Sequence, residues 1–220
     1  MEMFAQGCAM LAPWASSVVF SSPIPTIQKC VKEKSVGSLP LLPYTTMISS
    51  TFLWTMYGVL KNDPRIWSAN LVGLVLGLYY FLTFIRICPK SSTTLPGSVV
   101  NHVRFILAMI MGTSVVAMMS PNIQFATQLI GSGGVALTVC LFASPLSVMK
   151  LVIEKKSAAA IPLPFTVASF INCFLWSVMG LVVTGDINII IPNVLGLLCT
   201  VAQLALKFYY GDGPKLDLPR

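Results

Sequence analysis

Long apolar runs, broken by short polar clusters, dominate the chain. They fall near residues 4–27, 39–60, 67–87, 103–120, 125–149, 161–184 and 187–208. A helix needs about 20 largely apolar residues to cross the hydrocarbon of a bilayer, so the pattern predicts seven membrane-spanning helices. Clusters such as KCVKEKSVGS, KNDPR and CPKSSTTLPGS separate them. The fourth run is the least regular, because Arg104 stands near its start and it stops abruptly at Met119–Ser120. Six spans is the alternative count.

Composition removes the soluble alternatives. A length of 220 residues would ordinarily suggest one or two soluble domains. Here 55% of residues are hydrophobic and 10% charged, with a mean hydropathy of +0.82. Average soluble chains carry about 25% charge, and a domain this small could not hide so much apolar surface. A disordered chain, a nucleic-acid binder and a small disulfide scaffold are excluded on the same grounds. The net charge of +7 forms no basic stripe, but it does set an orientation. Lys29, Lys32, Lys34, Arg86, Lys90, Arg104, Lys150, Lys155, Lys156, Lys207, Lys215 and Arg220 flank one side of the predicted bundle, against Lys61 and Arg65 on the other. By the positive-inside rule the N-terminus is outside or lumenal and the C-terminus cytosolic. Glu2 and the lack of a basic leader predict that the first run is retained. The six cysteines lack CxxC spacing and read as packing residues.

The chain also repeats itself. Residues 33–60 (EKSVGSLPLLPYTTMISSTFLWTMYGVL) align with 155–182 (KKSAAAIPLPFTVASFINCFLWSVMGLV) at an offset of 122. The offset matches Pro23 with Pro145, Lys34 with Lys156, Ser35 with Ser157, Pro40 with Pro162, Trp54 with Trp176 and Gly58 with Gly180. One extra residue in the second outer loop changes the offset to 123, pairing Asp63 with Asp186, Asn70 with Asn193 and Gly73 with Gly196. Each repeat is a three-helix unit. Because three is odd, a single joining helix is needed for both to run the same way, and helix 4 supplies it. The expected class is therefore all-α, with two parallel three-helix repeats and a linker helix. The boundaries are 1–88 for the first repeat, 89–120 for the linker and its loop, 121–208 for the second repeat and 209–220 for a cytosolic tail.

SSPIPTIQK, LPLLPYTTMISSTFLWTMYG, DPRIWSANLVG, the second-repeat IPLPF and CFLW, and DINIIIPNVLG resemble the SWEET sugar facilitators, from about residue 4 to residue 210. The resemblance implies a 3+1+3 bundle that moves mono- or disaccharides down their gradient.

Asn70 and Asn193 are the first candidate site residues. An unsatisfied amide in lipid costs several kcal/mol, so both are expected to face inward. Interhelical bonding is the alternative use of such residues, but symmetry-related carboxamides also offer donors and acceptors to sugar hydroxyls. The resemblance assigns this pair to sugar binding. Trp54 lies about 9 Å inside the outer surface and Asn70 about 6 Å at 1.5 Å per residue. The second repeat puts Trp176 and Asn193 at matching levels. Indole faces would meet sugar C–H groups there. Ser50 and Asn172, one turn before each Trp, and Ser16 and Thr138, seven residues before Pro23 and Pro145, are further candidates that helix packing would equally explain. Val19 and Leu141, four before the prolines, would limit sugar size by their bulk.

Proline supplies the gating argument, since it removes an N–H and kinks a helix. The resemblance suggests a hinge tetrad of Pro23, Pro43, Pro145 and Pro162. The ungapped repeat pairs Pro40 with Pro162, leaving Pro40 and Pro43 as alternatives. Tyr57 and Asp186 match the family's outer gate, although Tyr57 has Met179 as its repeat counterpart and Asp186 would also suit a loop before a helix. All seven carboxylates (Glu2, Glu33, Asp63, Glu154, Asp186, Asp212, Asp217) fall in loops, tails or span ends, and His102 is expected in a loop. Proton coupling needs a titratable group within the membrane, so uncoupled, bidirectional facilitation is expected. No enzyme constellation, metal cluster or cofactor motif is present. The reading is a plasma-membrane uniporter of a glucose-like monosaccharide, a hexose in preference to a disaccharide, with homo-oligomerisation left open. The alternative is a seven-helix receptor or cargo-sorting protein without transport.

Overall fold

The computed structural model describes residues 1–88 and 98–213. Lys90, Lys215, Asp217 and Arg220 lie outside the described residues. Those residues contain helices and no strand: α1 (Glu2–Ser21), α2 (Ile24–Glu33), α3 (Leu42–Leu60), α4 (Pro64–Ile87), α5 (Val99–Met119), α6 (Ile123–Leu141), α7 (Ala143–Lys155), α8 (Leu163–Val178), a π-helical turn (Met179–Thr184) and α9 (Ile187–Tyr210). α1 with α2, and α6 with α7, are two long helices each broken once. The seven predicted helices are all present. Six are long and apolar enough to cross a membrane: Glu2–Glu33, Pro64–Ile87, Val99–Met119, Ile123–Lys155, Leu163–Thr184 and Ile187–Tyr210.

The seventh, α3, is shorter and more polar for a physical reason. It carries six serines and threonines before Tyr57, yet it is the most buried helix of its neighbourhood and lipid does not wet most of its surface. Its hydroxyls bond back into the helix: Thr46 to Leu42 O at 3.0 Å, Ser49 to Thr45 O at 3.0 Å, Thr51 to Met47 O at 2.7 Å and Thr55 to Thr51 O at 2.7 Å. Such bonds satisfy polar groups without a partner helix.

The breaks in the long helices follow from proline. Pro23 has no N–H for the carbonyl of Val19, four residues back; the N–H of Ser22 takes that carbonyl instead at 3.1 Å. In the second repeat the break comes three residues earlier than Pro145, where the N–H of Phe142 bonds to Val139 O at 3.0 Å. Neither proline ends its helix for good. α2 runs on to Lys34 and α7 to Lys156, and both lysines are left-handed, at φ 50° and 51°. Ser35 and Ser157 then donate their N–H groups to Cys30 O and Val152 O, at 3.2 and 3.3 Å. The repeated Lys-Ser pair is thus a helix stop.

The chain forms two compact units, Ser16–Gly134 and Met1–Ala15 with Val135–Arg220. The core of the first gathers Ile27, Leu41, Tyr44, Ile48, Tyr80, Phe84 and Ile106. Tyr44 stands 5.7 Å from the ring of Tyr80 and 6.1 Å from that of Phe84, and Tyr80 Oη donates to Phe20 O at 2.9 Å. Ala69, Gly73 and Gly77 form a buried small-residue stripe on α4. A Cβ on Gly73 would come within 2.7 Å of Thr51 Cγ2 and 2.8 Å of the Phe20 ring. That approach is the small-residue packing that brings helices together in lipid.

In the other unit the smaller core is Val152, Ala158 and Ile161, with Val148, Leu206 and Tyr210 against it. Lys207 ties the α7–α8 loop to the end of α9: its Nζ donates to Ala158 O at 3.0 Å and pairs with Asp212. The extra residue of the second repeat was expected in the outer loop. It is absorbed instead in the π-turn, which lies within the helical run before left-handed Gly185.

Candidate functional site

Asp63 and Asp186 are the N-caps of α4 and α9. Their Oδ1 atoms accept N–H bonds from Arg65 at 3.0 Å and Asn188 at 3.1 Å, a cap worth about 1 kcal/mol. Seven residues beyond each cap, about two turns further in, come Asn70 and Asn193. Both are half-buried, and each Nδ2 donates to the carbonyl four residues back: Asn70 to Ile66 O at 2.9 Å, Asn193 to Ile189 O at 2.8 Å. One N–H orients each carboxamide, leaving over its second N–H and its Oδ1. That remainder matches a hydroxyl, which both donates and accepts.

Each compact unit carries one half of the predicted site. Val19, Ser50, Trp54, Tyr57 and Asn70 belong to the Ser16–Gly134 unit, as does Ser16, which is buried. Trp54 is half-buried, its ring 5.5 Å from that of Tyr57 at 88°. Beneath it lies Gly134 of α6, whose built Cβ would stand 3.0 Å from indole Cε2. Sequence reading missed Gly134; the Gly-Ser-Gly-Gly run at 131–134 was the available signal. In the other unit are Thr138, Leu141, Asn172, Trp176 and Asn193. Trp176 is buried; Leu141, at 38% exposure, is the most exposed of the ten predicted sugar contacts.

Of the predicted hinges, Pro23 precedes α2, Pro145 lies in the first turn of α7 and Pro162 is the N-cap of α8. Pro43 sits in the first turn of α3, whereas Pro40 precedes it. At the opposite end, Tyr57 and Asp186 are both buried. Asp63 has a cationic partner two residues along its own helix. Arg65 grips Asp63 with Nε on Oδ1 at 2.9 Å and a terminal nitrogen on Oδ2 at 2.6 Å. Burial pushes the Asp63 carboxyl up, but the bonds from Arg65 outweigh it and hold the group below the ordinary carboxylate range. At the matching place after Asp186 stands Asn188, which is uncharged.

His102 corrects the sequence reading. It lies not in a loop but in the first turn of α5, 5% exposed, with Nδ1 2.8 Å from Thr45 Oγ1 on α3. Its Nε2 is buried without a partner among the described residues. A cleft lined by Met1, Glu2, Ala5, Gln6, Val182 and Val183 lies beside the π-turn, and no predicted sugar contact borders it.

A family profile described as "Sugar efflux transporter for intercellular exchange" matches the chain twice, over residues 8–92 and 128–214. The chain belongs to the SWEET family. It is 32% identical over 204 residues to the bidirectional sugar transporter SWEET9 of Arabidopsis thaliana, covering 91% of this chain and 77% of that protein. It is 33% identical over 197 residues to SWEET16 of Oryza sativa subsp. japonica, covering 89% of this chain but only 59% of that longer relative. The solved structure of a eukaryotic SWEET transporter superposes with a TM-score of 0.79 at 25% identity, covering 94% of this chain and 98% of the other. The solved SWEET transporter shares this fold, and the family is one of sugar transporters and not of enzymes.

Proposed function

We propose that the chain is a facilitative, bidirectional sugar transporter that works by alternating access, with a hexose preferred to a disaccharide. The carrying observation is the matched pair of carboxamides, each placed seven residues past an aspartate cap and each with one N–H committed and the rest available. Trp54 and Trp176 supply apolar faces for sugar C–H groups. Asn172, where the first repeat has Ser50, makes the site more polar and favours the smaller, more hydroxyl-dense substrate. Val19 and Leu141 restrict size, Ser16 and Thr138 contribute polar contacts, the prolines bend the helices at one mouth, and Tyr57 with Asp186 closes the other.

Residues 1–88 and 121–208 act as the two moving repeats about a linker at 89–120, consistent with a profile that matches twice. The N-terminus faces outside and the tail at 209–220 the cytosol of a plasma-membrane protein, and each chain carries its own path even within a homo-oligomer. Coupling to protons is not required. Among the described residues no Asp or Glu lies beyond the end turns of a spanning helix, and His102 already bonds to Thr45.

The test is glucose uptake into proteoliposomes holding the purified chain. Wild type equilibrates glucose in both directions at a rate indifferent to an imposed pH gradient. Asn70→Ala or Asn193→Ala lowers that rate at least about tenfold, in line with the loss of a buried hydrogen-bonding group that recognises a hydroxyl. Sugar binding by the wild type without flux would instead make it a receptor.

A further inference from the structure

We propose that Gly134 is a specificity-determining position: its missing side chain seats the Trp54 indole and so sets the size of sugar that fits beside it. This rests on the reading of Trp54 as a sugar contact.

A Cβ built on Gly134 stands 3.0 Å from Cε2, 3.2 Å from Cζ2 and 3.4 Å from Cδ2 of Trp54. These three atoms are bonded in sequence, and their nearly equal distances mean that the ring presents its face to the glycine. A methyl group at that height is too close for ordinary van der Waals contact, so the ring would have to lift by several tenths of an ångström. It cannot slide toward Tyr57, which meets it edge-on at 5.5 Å and is itself only 1% exposed. The ring would instead be pushed away from Gly134, toward the face on which a sugar is proposed to stack.

The neighbouring glycine sharpens the point. A Cβ on Gly133 meets only Leu53 Cδ2, at an ordinary 3.9 Å. The same change on the same helix, one residue away, therefore leaves the indole alone. The repeats are also unequal here. The residue 122 positions before Gly134 is Ala12, fully buried and carrying a Cβ, and the second indole, Trp176, is more buried than the first. The glycine seat beneath Trp54 thus has no glycine counterpart in the first repeat.

The test compares glucose (six carbons) and xylose (five carbons) uptake by wild type, Gly134→Ala and Gly133→Ala in proteoliposomes. Gly134→Ala is expected to lower the glucose-to-xylose ratio about tenfold, chiefly through KM, as one lost methylene of pocket space does elsewhere. Gly133→Ala keeps the wild-type ratio. Placing Gly134→Ala in a Trp54→Phe background changes the ratio no further, because the smaller ring clears the methyl group. Should Gly134→Ala fail to accumulate while Gly133→Ala does, the readout becomes rescue of folding by Trp54→Phe, and failure of that rescue overturns the proposal. Equal ratios in wild type and Gly134→Ala overturn it too, with glucose flux and its loss in Asn70→Ala intact. A wild type that moves no sugar overturns the transporter reading itself.

Discussion

At Thr45 and His102 a residue pair separated by 57 positions shares one buried hydrogen bond. The Thr45 hydroxyl also lies 3.3 Å from Leu41 O, so it serves both its own helix and α5. Removing one partner of a buried bond strands the other, at a cost of about 1–3 kcal/mol. Thr45→Val is therefore expected to destabilise the purified protein by about that amount in denaturant unfolding. His102→Leu removes both ring nitrogens, including the Nε2 that has no partner, and is expected to cost markedly less. A Thr45→Val protein as stable as wild type would mean that the bond is idle. Asn70 and Asn193 were legible beforehand because an amide in an apolar run is rare and a repeated one rarer. His102 was not, because a histidine beside a polar loop looks the same whether it folds inward or outward.

Among the elements, α4 shows how close packing is written in small residues. Ala69, Gly73 and Gly77 recur at intervals of four and lie on one face of a helix. Gly73→Leu would drive its side chain into Thr51 and Phe20, and an overpacked core of this kind costs about 1–3 kcal/mol. The expected result is a lower thermal midpoint in detergent, whereas Gly112→Leu on α5, where a Cβ meets nothing within 4 Å, leaves it unchanged. The stripe was visible in the sequence, but its partner was not. α3 taught the reverse lesson: its hydroxyls lower its apolarity, yet burial and back-bonding make it a helix of the bundle. The extra residue of the second repeat showed as a shift of offset, while its absorption into a π-turn depended on carbonyls choosing partners five residues on. Such turns are often found at functional sites, and this one ends two residues before the buried Asp186.

For the whole molecule, the charge asymmetry carries its own experiment. Asn62 and Ser35 are both exposed and lie at opposite ends of α3. A membrane-impermeant maleimide added to intact cells is expected to label Asn62→Cys above the wild-type background. Ser35→Cys should react only after permeabilisation; the opposite pattern would invert the orientation.

The spans, the doubling of the chain and the family follow from linear order alone. Lipid tolerates only long apolar segments with their polar exceptions turned inward, and a duplication leaves those exceptions at a constant offset. The burial of His102, the seat beneath Trp54 and the grip of Arg65 on Asp63 emerge only on folding. Each depends on contact geometry, whether between residues far apart in the chain or among a cap's immediate neighbours, and apolarity along the chain says nothing about which side chains will touch.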